Sequence, residues 1–470
     1  MSRTHFLLTL LGAASTLGYL AAYSLGDLRK NTIGFVVVFF AIFLLYLAAC
    51  ALALRTADDA PLHTNYFLLI TIFFAFLPRL LLLPTHPTLS DDMYRYVWDG
   101  RVQGHGLSPY LYPPDAKEVA ELRSGDTTVW KYINRKPFVT VYPPGAQLAF
   151  AAIWRIAGDS ATGFKTAFVL AELAGALLLV QLLRALNQPA ARVLIYLWSP
   201  LLIFEVAHAG HVDGLMLPLL ILAFWARVRE RPWLVGAALG MATLVKLFPL
   251  ILLPALLPVG QASSLSYKIR PALKTLLAFG LTLALGYLPY LLSGSTLGFL
   301  PNYFNENFNM GLARLLFDFA RANGLSGATL ANAFTFGGLA GLSILFLLKP
   351  AATPESALRR CVWLIGWFTL FTQNLFSWYL LWLLPLIVLF VEPGKLFGFN
   401  LAPTTAWLIF SGAIIFSYVF FVRWRVNDAA QIAEFAPLFI LLLLSGLKQL
   451  KAARLWRRVK AAGRSAALAS

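Results

Sequence analysis

Twelve residues, Ser90-Asp91-Asp92-Met93-Tyr94-Arg95-Tyr96-Val97-Trp98-Asp99-Gly100-Arg101, hold three acids, two arginines and three aromatic rings. The chain around them is 59% hydrophobic and only 13% charged. Carboxylates beside a membrane are costly to place and usually carry function. The cluster therefore reads as the start of an active site at a membrane surface. If Asp91 to Gln103 is helical, Asp92, Arg95, Tyr96 and Asp99 share one face at i, i+3, i+4 and i+7 spacing. Tyr94, Trp98 and Arg101 then form an adjacent stripe suited to lipid headgroups. The plainer alternative has Asp91 or Asp92 capping the helix and Asp99 pairing with Arg95. That alternative leaves one acid without a role.

Three further constellations carry possible chemistry. Glu205, His208 and His211 recur at three-residue steps, and Asp213 follows. Such a set suits a metal, a hydrogen-bonding pocket for a polyhydroxylated substrate with histidine moving protons, or a polar helix end facing water. No strict HExxH-type motif is present, and no metal is expected. Lys246 is a lone cation in the apolar stretch from Gly240 to Pro249, with the proline three residues on to break a helix. A buried lysine needs a partner or loses its charge. A lipid phosphate would be such a partner, and snorkelling to the interface is the alternative. Finally, Asn305 and Asn307 sit in the run Asn302-Tyr303-Phe304-Asn305-Glu306-Asn307-Phe308-Asn309. Amides bond sugar hydroxyls and rings stack on sugars, although Asn-rich loops are often only loops.

Membrane helices must position these groups. A mean hydropathy of +0.72 over 470 residues and repeated long apolar runs predict an all-α polytopic membrane protein, not a β-barrel with short alternating strands. About fourteen membrane segments are expected, at 5–25, 33–54, 65–84, 162–184, 193–209, 212–228, 233–246, 247–259, 271–292, 328–348, 359–374, 377–391, 403–422 and 431–447. The short pairs around Lys246 and Asn374 suit broken or re-entrant helices, which leaves about 12–14 crossings. The apolar stretch from Tyr142-Pro143-Pro144 to Trp154 is read as a helix lying on or dipping into the outer leaflet. No cleavable signal peptide is expected, because no small-residue cleavage site follows Phe6 to Leu25. Cys50 and Cys361 fall in or beside spans, which argues against a disulfide framework.

The net charge of +17 fits basic cytoplasmic loops and anionic lipid contacts rather than nucleic acid, since no nucleic-acid module accompanies it. Lys and Arg counted over short loops place both termini in the cytoplasm. The loop 85–161, the turn 205–213 and the loop 293–327 then lie together outside. The expected organisation is one integral membrane domain, 1–447, followed by a basic cytoplasmic tail, 448–470.

The chain resembles the membrane glycosyltransferases of the GT-C fold, in particular the polyprenyl-phosphate-mannose-dependent mannosyltransferases of glycosyltransferase family 87 and its relatives. The resemblance rests on Asp92-Met93-Tyr94-Arg95-Tyr96-Val97-Trp98-Asp99-Gly100, on Gly106-Leu107-Ser108-Pro109-Tyr110 and on Tyr142-Pro143-Pro144. Ser199-Pro200 to His211-Val212-Asp213-Gly214, Val245-Lys246-Leu247-Phe248-Pro249 and Trp378-Tyr379-Leu380-Leu381-Trp382 extend it through most of the chain from Thr64 on. It implies a GT-C-like fold with extracytoplasmic juxtamembrane helices, no cofactor, and a bacterial plasma-membrane location. It also implies a hexose, above all mannose, moved from a polyprenyl-phosphate-linked donor to a glycan or glycolipid acceptor outside the cytoplasm. An aspartate of the first large outer loop is the family's general base. Asp92 matches it best and Asp91 is the near alternative. Direct displacement would invert the anomeric carbon. Lys246 and Arg101 would meet the donor phosphate. Arg95, Tyr96, Glu205, His208, His211, Asp213, Asn305, Asn307, Trp378 and Tyr379 would line the substrate site. Two spans precede the one that leads into that loop, where simpler members have none, and the added pair preserves orientation. A transporter or flippase of lipid-linked glycans, a non-enzymatic scaffold or sensor, and a glycan polymerase or ligase are the rival readings.

Overall fold

The computed structural model describes residues 2–55, 61–126, 128–258, 265–293, 296 and 306–469. They form an all-helical membrane bundle, broken only by the four-residue strand Pro393–Leu396. Eight helices are long and apolar enough to cross a bilayer: Arg3–Ser24, Thr32–Arg55, Asn65–Leu82, Ala161–Ala185, Ile269–Tyr290, Gly327–Leu348, Pro403–Arg423 and Asp428–Ala452. A ninth crossing is available if Ala190–Leu197 and Pro200–His208, which meet at 53°, count as one span. Pro200 causes that bend, since it lacks an N–H and cannot continue the preceding helix. Ser199 restarts the chain as an N-cap, its Oγ accepting from the Leu202 amide at 3.4 Å.

The remaining apolar stretches are too short or too broken to cross as single helices. Residues 212–228 and 233–246 become Asp213–Val228 and Pro232–Val245, of 16 and 14 residues. At 1.5 Å per residue these span roughly 21–24 Å, less than the hydrocarbon core of about 30 Å. Residues 247–259 open as a tight 3-10 turn, Phe248–Leu252, and one α-turn, Leu253–Leu256. Residues 377–391 likewise split into Ser377–Trp382 and Leu384–Phe390. These interrupted elements carry Lys246, Trp378 and Tyr379. The last helix runs from Asp428 through Ala469 without a break at 447.

Inside the bundle Arg79 and Glu172 form a two-pronged pair, with Nε–Oε2 and Nη2–Oε1 both at 2.9 Å. Both side chains are shut from solvent. Arg79 also donates to the carbonyls of Ala75 and Leu197. Each of these two interior charges is thus answered by the other, which is the condition for tolerating them there.

The first outer loop folds as a lid of its own. Helix Asp92–Gly104 packs on helix Pro144–Ala157, and Gly100 permits the approach: a Cβ there would lie 2.6 Å from the Phe150 carbonyl oxygen. The segment from Lys117 to Tyr132 covers the other side. Trp130 meets Trp98, and Tyr132 stacks on Tyr94 at 5.1 Å. This corrects the expected lipid-facing stripe: Tyr94, Trp98 and Arg101 are all buried. Burial pushes the Tyr94 phenol up to about 12. The Asp92–Gly104 helix is therefore covered by protein on both sides.

Candidate active site

A cavity of about 920 Å³ opens where the outer segments converge. Asp91, Asp92 and Asn134 reach it from the first outer loop, and Glu306 and Asn307 from the second. Lys246, Trp378 and Tyr379 reach it from the interrupted elements. The segments 85–161, 205–213 and 293–327 thus meet in space. Asp92 lies 4.0 Å from His211, and Arg135 pairs with Glu306. The second loop is pinned by backbone bonds, with Phe308 N donating to Gln373 O at 2.9 Å and Leu375 N to Phe308 O at 3.1 Å.

Asp92 opens its helix. Its amide donates to Ser90 Oγ at 3.2 Å, so Ser90 does the capping. The Asp92 carboxylate accepts from Asn134 Nδ2 at 2.8 Å, and its other oxygen faces His211 Nδ1. Among the described residues no lysine or arginine pairs with it. Asp91 sits at the N-cap position but makes no capping bond. Its two oxygens accept from the Arg29 guanidinium at 2.8 and 3.2 Å, which corrects the capping role expected of it.

His211 is brought to Asp92 by an irregular turn. Phe204–His208 winds as a π-helix, and Gly210 reverses the chain with φ +75°. A Cβ at Gly210 would lie 2.1 Å from Met93 Cε. Both the left-handed backbone and the close approach of the Asp92 helix therefore require glycine. The reversal sets His211 Nε2 3.3 Å from Glu205 Oε2 and lays the imidazole on Trp378, ring centres 3.8 Å apart. Tyr418 Oη donates to Glu205 at 2.9 Å. His208 does not join them. It is buried between the hydroxyls of Thr85 and Thr88, at 2.8 and 3.0 Å. The three-residue steps of Glu205, His208 and His211 assume one helix, and the π-turn and Gly210 break that register.

Lys246 is not a snorkelling cation. The helix before it ends there, and its Nζ lies 2.8 and 3.1 Å from the two oxygens of buried Asp213. Trp382 Nε1 donates to the same carboxylate at 2.6 Å. The ammonium also faces the rings of Tyr379 and Trp382 at 5.2 and 5.3 Å. Beyond it, Leu247, Leu250, Ile251, Phe336 and Phe368 give the cavity an apolar flank.

Arg95 lines the cavity. It pairs with Asp99 at 2.8 Å and donates to Phe138 O, while its buried Nη2 has no hydrogen-bond partner among the described residues. Tyr96 packs on Tyr142 and Phe150. Burial first, then the Asp92 charge, holds its phenol well above its ordinary range. Arg101 does not reach the cavity. Its guanidinium holds Asp126, Asp159 and the Leu122 carbonyl, clamping the outer loop to the helix. Asn307 lines the cavity, and Asn305 lies outside the described residues. Sequence reasoning missed Arg29, Asn134, Trp382, Tyr418 and Trp424. Their contacts with the site bridge dozens to hundreds of positions, and no local pattern marks them.

Rings form a continuous wall across the cavity. Phe421 and Phe420 meet, Phe420 meets Phe308, and Phe308 stacks on Phe376. Phe376 stacks on Trp378, and Tyr379 stacks on Trp382, which stacks on Phe248. Arg29 lies over Phe421 at one end, His211 on Trp378 at the centre, and Lys246 beside Tyr379 at the other end. A carboxylate with no lysine or arginine partner among the described residues is thus flanked by a cation with an apolar groove on one side and by a polar, aromatic rim on the other. That arrangement can take a proton from a hydroxyl and hold an anion carried on a hydrocarbon chain.

Residues 11–260, just over half of the chain, match a family model described as alpha-(1->6)-mannopyranosyltransferase, N-terminal domain (MptA_B family). No curated protein matches the chain. The matched stretch includes Asp92, His211, Asp213 and Lys246. The second outer loop and most of the aromatic wall lie beyond it.

Proposed function

We propose, for a chain that belongs to the MptA_B family of alpha-(1->6)-mannopyranosyltransferases, that Asp92 is the general base of an inverting mannosyl transfer from a polyprenyl-phosphate-linked donor. The acceptor is a glycan or glycolipid outside the cytoplasm. A (1→6) product makes the nucleophile a primary hydroxyl. Its oxygen bonds the anomeric carbon, and Asp92 takes its proton. The bond from that carbon to the phosphate oxygen breaks, and the electron pair leaves on polyprenyl phosphate. Inversion to an α product requires a β-configured donor. A positioned base contributes about 10²–10⁴-fold.

The observation that carries this reading is the setting of Asp92. It faces the cavity, is aimed by Asn134 at 2.8 Å, and has no lysine or arginine partner among the described residues. His211, 4.0 Å away with Glu205 behind it, is placed to receive the proton afterwards. Lys246 meets the phosphate, and the groove beyond it takes the prenyl chain. Cationic side chains suffice for the phosphate, so the reading asks for no metal. In cells the enzyme is a multi-pass protein of the bacterial inner membrane, with the site outside and both termini in the cytoplasm. Residues 1–447 act as one membrane domain and 448–470 as a basic tail.

The test is a mass-resolved transfer assay on Asp92→Asn. Asparagine keeps the shape but is a poor proton acceptor. Transfer should be abolished with expression and melting unchanged. Asp91→Asn, which loses the Arg29 ion pair instead, should show a smaller loss, confined to KM. Wild-type rates in Asp92→Asn would sink the reading, and several sugars added as a block would indicate a polymerase or ligase.

A further inference from the structure

We propose that the rim built by Trp424, Phe421, Arg29 and Asp91 is the acceptor-sugar subsite, an inference that rests on the transfer reading above. An in-line displacement needs the attacking hydroxyl on the side of the anomeric carbon opposite the leaving phosphate. The ring wall runs between Lys246 at one end and Arg29 at the other. Lys246 joins the wall through Tyr379, on one side of Trp378 and His211. Phe376, Phe308 and Phe420 lead away on the other side to Phe421 and Trp424.

The rim has the equipment for a pyranose ring. Trp424 lines the cavity yet is 63% exposed, a large open ring face. Its neighbours Phe420 and Phe421 meet it at steep angles of 76° and 67°. The backbone at Trp424 is left-handed, with φ +53° and ψ +34°. A tryptophan gains nothing locally from that conformation, which glycine or asparagine adopts more readily. The strain serves to carry the ring to the cavity edge. Beneath it the Arg29 guanidinium lies 4.9 Å from the Phe421 ring centre and 6.0 Å from that of Trp424. Paired with Asp91, it offers fixed donors and acceptors side by side, as neighbouring sugar hydroxyls require. Asp91 directly precedes the proposed base, so a sugar held here presents a hydroxyl to Asp92. A ring anchoring the chain in the membrane interface would need none of these polar partners.

The experiment uses the full chain in detergent micelles, with octyl α-(1→6)-dimannoside as acceptor and a short-chain β-mannosyl polyprenyl phosphate as donor. Trp424→Asn removes the ring and suits the left-handed backbone, so it isolates recognition from strain. The acceptor KM should rise roughly tenfold, the scale of one aromatic stacking contact, with the donor KM unchanged and Trp424→Phe restoring most of the affinity. Calorimetric titration of the dimannoside alone into Asp92→Asn and into Asp92→Asn/Trp424→Asn should show the same loss, independent of turnover. An unchanged acceptor KM, or donor and acceptor KM rising together as for a membrane anchor, would overturn the subsite. Transfer surviving Asp92→Asn would overturn the reading beneath it, and the titration separates the two failures.

Discussion

Two adjacent aspartates have opposite surroundings. Asp91 is neutralised by Arg29, while Asp92 is held by an amide and faces a histidine. Lys246, the cation proposed to meet the donor phosphate, is balanced by a wholly buried Asp213. Removing only the lysine leaves that carboxylate without its cation, a loss that can cost about 3–5 kcal/mol for a buried pair. Lys246→Ala is therefore expected to lower the melting temperature as well as weaken donor use. Lys246→Ala/Asp213→Asn should recover stability but not donor KM, and Lys246→Arg should retain part of both. Kinetics with thermal melts on the three variants would separate the roles; an unchanged donor KM in the double variant would remove Lys246 from the phosphate site. Asp92 and Lys246 were legible as candidates from residue type and apolar context. Their partners were not, since Asn134, Asp213 and Trp382 meet them only through the fold. Arg101 could have been set aside earlier: nine residues past Asp92 is about two and a half helical turns, which points it to the opposite face.

At the scale of elements, what Arg101 does is hold the lid of the first outer loop. Burial works against the charge on Asp126, but its bonds from Arg101 and from the Thr128 and Trp130 amides outweigh that and keep its carboxyl below the ordinary 3.8. A carboxyl depressed in the fold contributes stability that is complete above its unfolded value and lost as pH falls through the folded one. Hydrogen-exchange protection over residues 117–132, taken relative to the intrinsic amide rate at each pH, is expected to be high at neutral pH and to fall below about pH 4. Asp126→Asn should lack that protection at every pH; high protection in that variant would refute the clamp. The long apolar helices were readable by length and hydropathy. The interrupted ones were legible only as anomalies around Lys246 and Asn374, because a tight turn shielded by its neighbours has the same composition as a span. The π-turn over Phe204–His208 left no signal beyond Gly210.

For the whole molecule, the contact between the segments 85–161, 205–213 and 293–327 requires that they share one side. The charge bias over short loops predicts that this side lies opposite the C-terminal end. Cysteine introduced at Ser124 should label from outside intact cells, and at Ser465 only after permeabilisation. The native Cys50 and Cys361 are buried and should stay silent. Labelling of both introduced cysteines from one side would refute the arrangement.

Four cations line the cavity, Arg29, Arg95, Arg135 and Lys246, and each is met by a carboxylate: Asp91, Asp99, Glu306 and Asp213. A wall balanced in this way has little surplus positive charge with which to retain an anion. In the proposed reaction the leaving polyprenyl phosphate would be more negative than the donor, at about −1.5 to −2 for a phosphate monoester near neutral pH. Its grip should therefore loosen at the moment of transfer, so that departure of the spent carrier does not throttle turnover. Added polyprenyl phosphate is accordingly expected to inhibit only weakly. Asp213→Asn, which leaves Lys246 unopposed, should turn the same carrier into a tight inhibitor that lowers kcat.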